Sequence, residues 1–548
     1  MYFSLLLLLI MRRIILFLFL SAAAVLKAQN VYHPTDDWQA YDAYRQQYLG
    51  YFRYTSFDPA LNQFTQRLYF QPDTSMQFDE VQVCSGNTSS TFKKPLLKHF
   101  YKDQYNFFSI EKKDQYAFII NPVFHFESGK DDSGILYQNK RGAEIKGNIG
   151  GLTRGIGFYS LFTENQAMLP YPYRYFTDSF NFVPNELFYK PFKKQGAVDY
   201  FQARAYITFN AVKNYVKFQF GHDKHKIGNG YRSLILSDFA PQYLFLKINT
   251  DVGRFHYQNL FTQFSDNGPI LSNVLYGKKY GAFHRLSYNV LPHFVIGLNE
   301  MVLFDRIDST QMNQFDLNYL NPVIFYRSVE SNLGSRDNSL MALDLSYTYR
   351  LKYQIYGQLV LDEFNLKFLK TQPNWWGNKY AWQLGARLLD VLHVKHLDVM
   401  AEFNRSRPFT YSHMRSTQSY SHFNQPLAHP LGANFSELIG SVKYRLKSRL
   451  FIDATIIYAK RGVDSSLNGR NYGSNILRPY TTRFSDDNVT MYVGKVQELM
   501  TANLTLSYML KHNIFADLRV NYRKVTDSNN LFFTVGLRMN CSTKAFDY

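Results

Sequence analysis

From about Tyr116 onward, apolar and polar residues take turns with a period of two, and the segments that do so are separated alternately by long and by short connections. The span 513–523 sets Ile514, Ala516, Leu518, Val520 and Tyr522 against Asn513, Asp517, Arg519, Asn521 and Arg523. Residues 501–509 set Ala502, Leu504, Leu506 and Tyr508 against Thr501, Asn503, Thr505 and Ser507, and 199–209 behaves alike. Successive side chains of an extended strand point to opposite faces, so these are strands with one greasy and one wet side. The spacing predicts eighteen of them, an even number, over 116–126, 141–149, 154–164, 199–209, 214–222, 243–249, 253–264, 282–289, 293–304, 339–350, 353–363, 380–390, 395–405, 436–444, 449–459, 490–509, 512–523 and 531–540. Connections 127–140, 165–198, 305–338 and 406–435 are long, whereas 150–153, 210–213, 351–352 and 445–448 are short. Outer-membrane barrels sort their loops in this way, with short periplasmic turns and long outer loops, and a soluble sandwich has no reason to. The expected fold is all-β, a transmembrane antiparallel up-and-down β-barrel of about 18 strands with both termini periplasmic, its apolar face toward lipid and its polar face lining the lumen.

Composition agrees with this reading and removes the alternatives. No window after residue 28 approaches the run of about 18 apolar residues that a spanning helix needs, and a mean hydropathy of −0.30 is too low for a helical membrane protein. The 43 Tyr and 48 Phe exclude a disordered chain and fit interfacial aromatic girdles, although a large soluble core would use them as well. Two cysteines in 548 residues cannot make a disulfide scaffold.

The start of the chain sets the compartment. Met11, Arg12 and Arg13 form a basic region, Ile14–Leu26 is an apolar run of 13 residues, and Ala22, Ala23, Ala24 and Ala28 supply small residues before Gln29. This pattern predicts a secretory signal over 1–28, cut after Ala28, with either Met1 or Met11 as the start. Its removal takes Arg12, Arg13 and Lys27 and no acid, lowering the net charge from +18 by three to +15. Residues 29–115 form a separate periplasmic segment in which 37–49 and 94–105 read as helical, and 116–548 is the barrel. The chain closes on Tyr548 shortly after the last strand, as substrates of the outer-membrane assembly machinery commonly end on an aromatic residue.

The most distinctive sequence falls in the outer connections. Residues 221–238 read GHDKHKIGNGYRSLILSD, 321–338 contain NPVIFYR and GSRDN, and LDEF at 361–364 stands ahead of Trp375, Trp376 and Gly377. These blocks, in this order on an exported β-rich chain, resemble the Wzi-type capsule-assembly family of outer-membrane proteins, including its gliding-motility relatives of the RemB type, over roughly 116–540. The motif positions that carry the resemblance are Gly221, Asp223, Gly228, Gly230, Ser237, Asp238, Asn321, Pro322, Asn338, Asp362 and Glu363. What the resemblance implies is an 18-stranded barrel whose outer loops help hold capsular or exopolysaccharide at the cell surface. Members often carry a compact helical bundle at the N-terminus, where this chain has a longer mixed segment.

Chemistry-bearing residues have plain readings beside the sharp ones. His222 and His225 with Asp223 have the composition of a metal cluster, but a loop lacks the frame that would aim both rings, so solvent-facing histidines are expected and no metal. Asp362 and Glu363 are neighbours on a predicted strand and so point to opposite faces, unlike the two carboxyls of a glycoside hydrolase, which flank one sugar. One of the two is expected to join a lumenal charge network. Asn321, Pro322 and Asn338 read first as turn chemistry. No nucleophile elbow, P-loop or dinucleotide fingerprint stands in a usable context, so neither catalysis nor a cofactor is expected.

Polysaccharide recognition needs flat aromatic faces and planar donors, which Tyr231, Arg232, Arg327, Arg336, Trp375 and Trp376 could supply, or these residues could brace loops over the barrel mouth. The positive charge favours acidic polysaccharide and lipopolysaccharide phosphates, and nucleic acid is not expected. Cys84 and Cys541 both fall on the periplasmic side in this topology, where they could form a disulfide or stay free. Three classes of function remain open: a polysaccharide-holding barrel, a surface component of gliding motility or adhesion, and a diffusion porin.

Overall fold

A computed structural model describes residues 106–548 apart from 113–114, 151–155, 175–181, 194–195, 213–214, 267–275, 292, 307–313, 322–325, 327–336, 351, 364–365, 448, 465–468, 512, 527 and 544–545. The signal over 1–28, the helical stretches of 29–115 and Cys84 lie outside the described residues. In chain order the strands are β1 (Phe108–Lys112), β2 (Tyr116–Asp131), β3 (Gly134–Ile149), β4 (Ile156–Met168), β5 (Lys190–Pro191), β6 (Ala197–Val212), β7 (Val216–Asp223), β8 (Tyr243–Val252), β9 (Phe255–Ser265), β10 (Lys278–Leu291) and β11 (Phe294–Phe304). They continue as β12 (Asn338–Tyr349), β13 (Tyr353–Leu361), β14 (Tyr380–Leu388), β15 (Leu397–Ser406), β16 (Ser421–His422), β17 (Gln425–Pro426), β18 (Phe435–Lys447), β19 (Leu450–Val463), β20 (Lys495–Lys511), β21 (Ile514–Val525) and β22 (Ser528–Met539).

Each long strand pairs antiparallel with the next, and β22 closes on β2 through Phe124–Lys130 against Phe533–Met539. Leaving out β1, β5 and the β16–β17 hairpin, eighteen strands form a closed barrel, each at the place the alternation marks. β1 pairs with the half of β2 that β22 leaves bare, Phe108 facing Ile120 and Lys112 facing Tyr116, so the seam has no open edge there.

The apolar side chains face out. On β22, Leu531 (51%), Phe533 (52%) and Val535 (59%) are exposed while Asn530, Phe532 and Thr534 between them are buried. On β21, Asp517, Arg519, Asn521 and Arg523 are buried within, and Arg538 reaches the Asp517 carboxylate at 2.6 Å. A soluble sandwich would bury the first set instead, so the greasy exterior is the bilayer contact.

Two outer connections differ from expectation. The 127–140 stretch is not a loop: β2 and β3 run on to Asp131 and Gly134, and the turn is held by the Asp131 carboxylate, which accepts from the Ser133 amide (2.8 Å) and hydroxyl (2.6 Å). Its run of polar and small residues reads as loop, yet on a strand whose inner face is wet it is tolerated. β21 and β22 are joined equally tightly across Thr526 and residue 527. The barrel wall from β20 round to β3 therefore has no long loop at its outer rim.

The described part of the 305–337 connection, residues 314–321 and Tyr326, folds over the outer surface of the wall rather than into the mouth. Phe315, Tyr319 and Tyr326 pack on Phe261, Ala282, Val302 and Phe304, which share the face of the exposed Leu298. Beneath them His284 sits between Tyr257 (oxygen to Nδ1, 3.0 Å) and Tyr326, so this belt of loop shields a polar spot that would otherwise meet lipid.

Candidate functional site

The glycine-rich block at the end of β7 turns into the barrel. Residues 224–242 descend from the rim, and wall carboxylates and amides hold their backbone. Gln358 on β13 donates to the Ile227 carbonyl (3.0 Å) and accepts from the Leu234 amide (2.8 Å), and Gln383 on β14 donates to the Arg232 carbonyl (3.1 Å). Glu402 on β15 accepts from the amides of Tyr231 (2.6 Å) and Arg232 (3.0 Å) and from the Tyr356 hydroxyl (2.8 Å). Only glycine permits this approach: a Cβ on Gly230 would lie 2.6 Å from Glu402 Oε2, and one on Gly228, at φ +111°, would run into Gln358.

The 407–434 loop crosses over this block. The hydroxyls of Tyr411 (2.7 Å) and Tyr420 (2.6 Å) donate to the carbonyls of Leu234 and Ile235, and the Ser237 amide donates to Leu427 (2.8 Å). Leu234, Ile235, Leu236, Tyr411, Tyr420, Leu427 and Leu431 bury together as an apolar plug inside the upper barrel.

A third piece closes the sector whose rim is short. After Met539 the chain turns back up the inside of the barrel: Asn540 donates to the Pro122 carbonyl (2.8 Å) and the Cys541 thiol contacts the Phe124 carbonyl (3.4 Å). Higher up, the Phe546 carbonyl accepts from Tyr173 (2.9 Å), Asn521 (3.2 Å) and Asn503 (3.3 Å). Phe546 and Tyr548 pack with Leu136 and Phe532, near the outer ends of β3 and β22, and with Tyr173 and Phe239 from the connections. Tyr548, beyond the end of β22, packs inside the barrel with this plug.

The expected site residues are dispersed. Arg232 is buried, with its guanidinium on the Asp547 carboxylate (3.0 Å) and Glu437 (3.4 Å), and the Tyr231 hydroxyl donates to the same Asp547 oxygen (2.6 Å). Arg327, Arg336 and Pro322 lie outside the described residues. Asp223 pairs with Arg204, and Gly221 stands in β7. Ser237 anchors the loop crossing, Asp238 beside it is exposed, Asn321 caps a single turn (Leu317–Leu320), and Asn338 donates to the Gln418 carbonyl (2.8 Å).

The expectation of solvent-facing His222 and His225 on a loop is corrected. His222 belongs to β7 and contacts the Ala203 carbonyl (3.2 Å), while His225 is buried edge-on to Phe245 at 4.2 Å because the block folds inward. Burial, with Lys247 nearby, holds the His225 imidazole well below its ordinary pKa and therefore neutral. Among the described residues no group of three or more His, Cys, Asp or Glu is placed to hold a metal ion.

Asp362 and Glu363 follow the end of β13, and their environments do differ: the Asp362 side chain is 2% exposed and that of Glu363 44%. Asp362 sits 3.2 Å from Lys379 Nζ and accepts from the Tyr411 amide (2.8 Å). Burial pushes its pKa up to about 6 against the pull of Lys379.

Trp375 and Trp376 lie half-buried at the mouth with their rings 5.8 Å apart. The Arg483 guanidinium covers Trp376 at 4.1 Å, Tyr480 lies 4.9 Å away, and Lys379 Nζ stands 4.8 Å from the Tyr480 ring. Sequence reasoning missed Tyr480 and Arg483, which come from the connection 464–494; no local signal ties them to the tryptophans about a hundred residues earlier. The carboxylates that hold the plug, Glu402, Glu437 and Asp547, were missed as well, because a lone acid on a wet strand face carries no mark of its partner.

An eighteen-stranded barrel, greasy outside and with its own loops packed into the upper lumen, defines an outer-membrane β-barrel protein. The chain belongs to the Wzi capsule-assembly family: the family described as capsule assembly protein Wzi matches residues 194–530. No curated protein matches the chain. Among solved structures it is similar to Wzi of Escherichia coli, described as an outer-membrane protein involved in group 1 capsule assembly and a carbohydrate-binding β-barrel (13% identity, 77% of this chain and 85% of that one, TM-score 0.48). It is similar also to Pseudomonas aeruginosa OprD (11% identity, 78% and 96% covered, TM-score 0.41) and OccK8 (9% identity, 77% and 98% covered, TM-score 0.42).

Proposed function

We propose that this barrel is a non-enzymatic holder of capsular or exopolysaccharide at the cell surface, with Trp376 and its neighbours as the contact. The observation that carries the reading is the half-exposed platform of Trp375, Trp376 and Tyr480 at the mouth, flanked by the Arg483 guanidinium, with the buried Lys379 against the Tyr480 ring. A pyranose lays its apolar C–H face on an aromatic ring, and a nearby guanidinium takes hydroxyls or a uronate carboxylate. Membership of a capsule-assembly family supports this reading over the porin. The net charge, +15 without the expected signal segment, favours an acidic glycan.

The test is a strain carrying W376A together with R483A. Cell-attached capsule should fall and free polysaccharide in the medium should rise while the barrel still folds. Unchanged attachment would remove the platform from the function. Normal capsule with impaired spreading would move the chain to the gliding-motility reading.

A further inference from the structure

The segment that re-enters the barrel after β22 rests in a seat whose chemistry exceeds what a structural tail needs. Asp547 presents its carboxylate to Arg232 (3.0 Å) and to the Tyr231 hydroxyl (2.6 Å), and its carbonyl accepts from the same guanidinium. On either side of it, Arg519 lies over the Phe546 ring at 5.7 Å and Arg523 over Tyr173 at 4.9 Å, Tyr173 itself packing edge-on to Tyr548 at 5.4 Å. The Arg523 side chain belongs to a residue only 8% exposed, yet its Nε and Nη1 have no hydrogen-bond partner, and neither has Arg232 Nε. Buried guanidinium N–H groups are costly to leave without acceptors, so the seat holds spare donors of the kind an acceptor-rich ligand takes.

We propose that this seat is a binding site for a carboxylate-bearing saccharide, occupied in cis by the chain's own Phe546–Tyr548 segment as a displaceable stand-in. The Asp547 carboxylate takes the place of a uronate carboxylate on Arg232 and Tyr231, and the two aromatic rings take the place of flat sugar rings between the flanking side chains. The seat lies in the sector where the joins β2–β3 and β21–β22 are tight turns, with Tyr173 and Phe239 from the neighbouring connections packed on the segment. It is separate from the tryptophan platform and rests on the polysaccharide reading only for the choice of ligand.

Calorimetric titration of the full-length barrel tests this with three probes: tetragalacturonate, maltotetraose and inorganic phosphate. D547N keeps the shape of the stand-in and removes its charge, and F546A loosens it by a separate route. Both should raise the affinity for tetragalacturonate about tenfold over the native chain, roughly the strength of one charge-assisted contact, leave maltotetraose unchanged, and lose the gain when R523A is added. The W376A barrel should keep this gain in the D547N background, so failure of the mouth platform and failure of this seat are distinguishable. Unchanged tetragalacturonate binding in both variants, with heat-modifiable migration showing a folded barrel, would overturn the proposal. So would an equal gain for phosphate, which would mark a site for any anion.

Discussion

At the residue scale, the plug depends on close approach and on a few buried carboxyls. A methyl group on Gly230 would press on Glu402, the acceptor for two loop amides. G230A should therefore cost about 1–3 kcal/mol, read as a lower temperature for loss of the compact form on unheated gels. Asp362 supplies the pH dependence. Its pKa in the fold is raised above that of an ordinary carboxyl, so its contribution is favourable at low pH and is lost as pH rises through about 6. D362N lacks this loss, so its unfolding midpoint should climb relative to the native chain between about pH 4 and pH 6 and run parallel above. Parallel curves throughout would show that the group titrates normally. Because Lys379 links Asp362 to Tyr480 and so to Trp376, tryptophan fluorescence should follow the same transition in the native chain and not in D362N.

At the scale of elements, the strands were legible in the sequence and their connections were not. All eighteen wall strands stand where period-two alternation places them, since the solvent on each side, lipid or water, dictates every second residue. The polar face of Asp517, Arg519, Asn521 and Arg523 lines the lumen as its pattern implied. No such rule governs a loop: Arg232 has the composition of a ligand contact whether it faces water or, as it does, two inner carboxylates. The loop over the outer wall was equally hidden, because the signal for it is Tyr326 reaching His284 on a strand some forty residues earlier. Y326A should uncover His284 to lipid and cost about 1–3 kcal/mol, whereas Y326F, which keeps the ring on its neighbours, should cost less. Equal effects would mean that the hydroxyl, and not the ring packing, holds the loop.

At the scale of the whole molecule, eighteen strands enclose a lumen wide enough to conduct unless filled. Here the 224–242 block, the 407–434 crossing and the re-entrant segment after β22 fill it from three directions, the last where the rim has only tight turns. On the proposed reading, a barrel that holds a polymer outside has nothing to pass through. A filled lumen would also distinguish it from a diffusion porin. Single-channel recording on the purified barrel in a planar bilayer measures this directly. The proposed reading predicts a silent bilayer at neutral pH, with steps emerging only when the plug is cut back. Steady ohmic openings of the native chain, on the scale of an open porin, would contradict it.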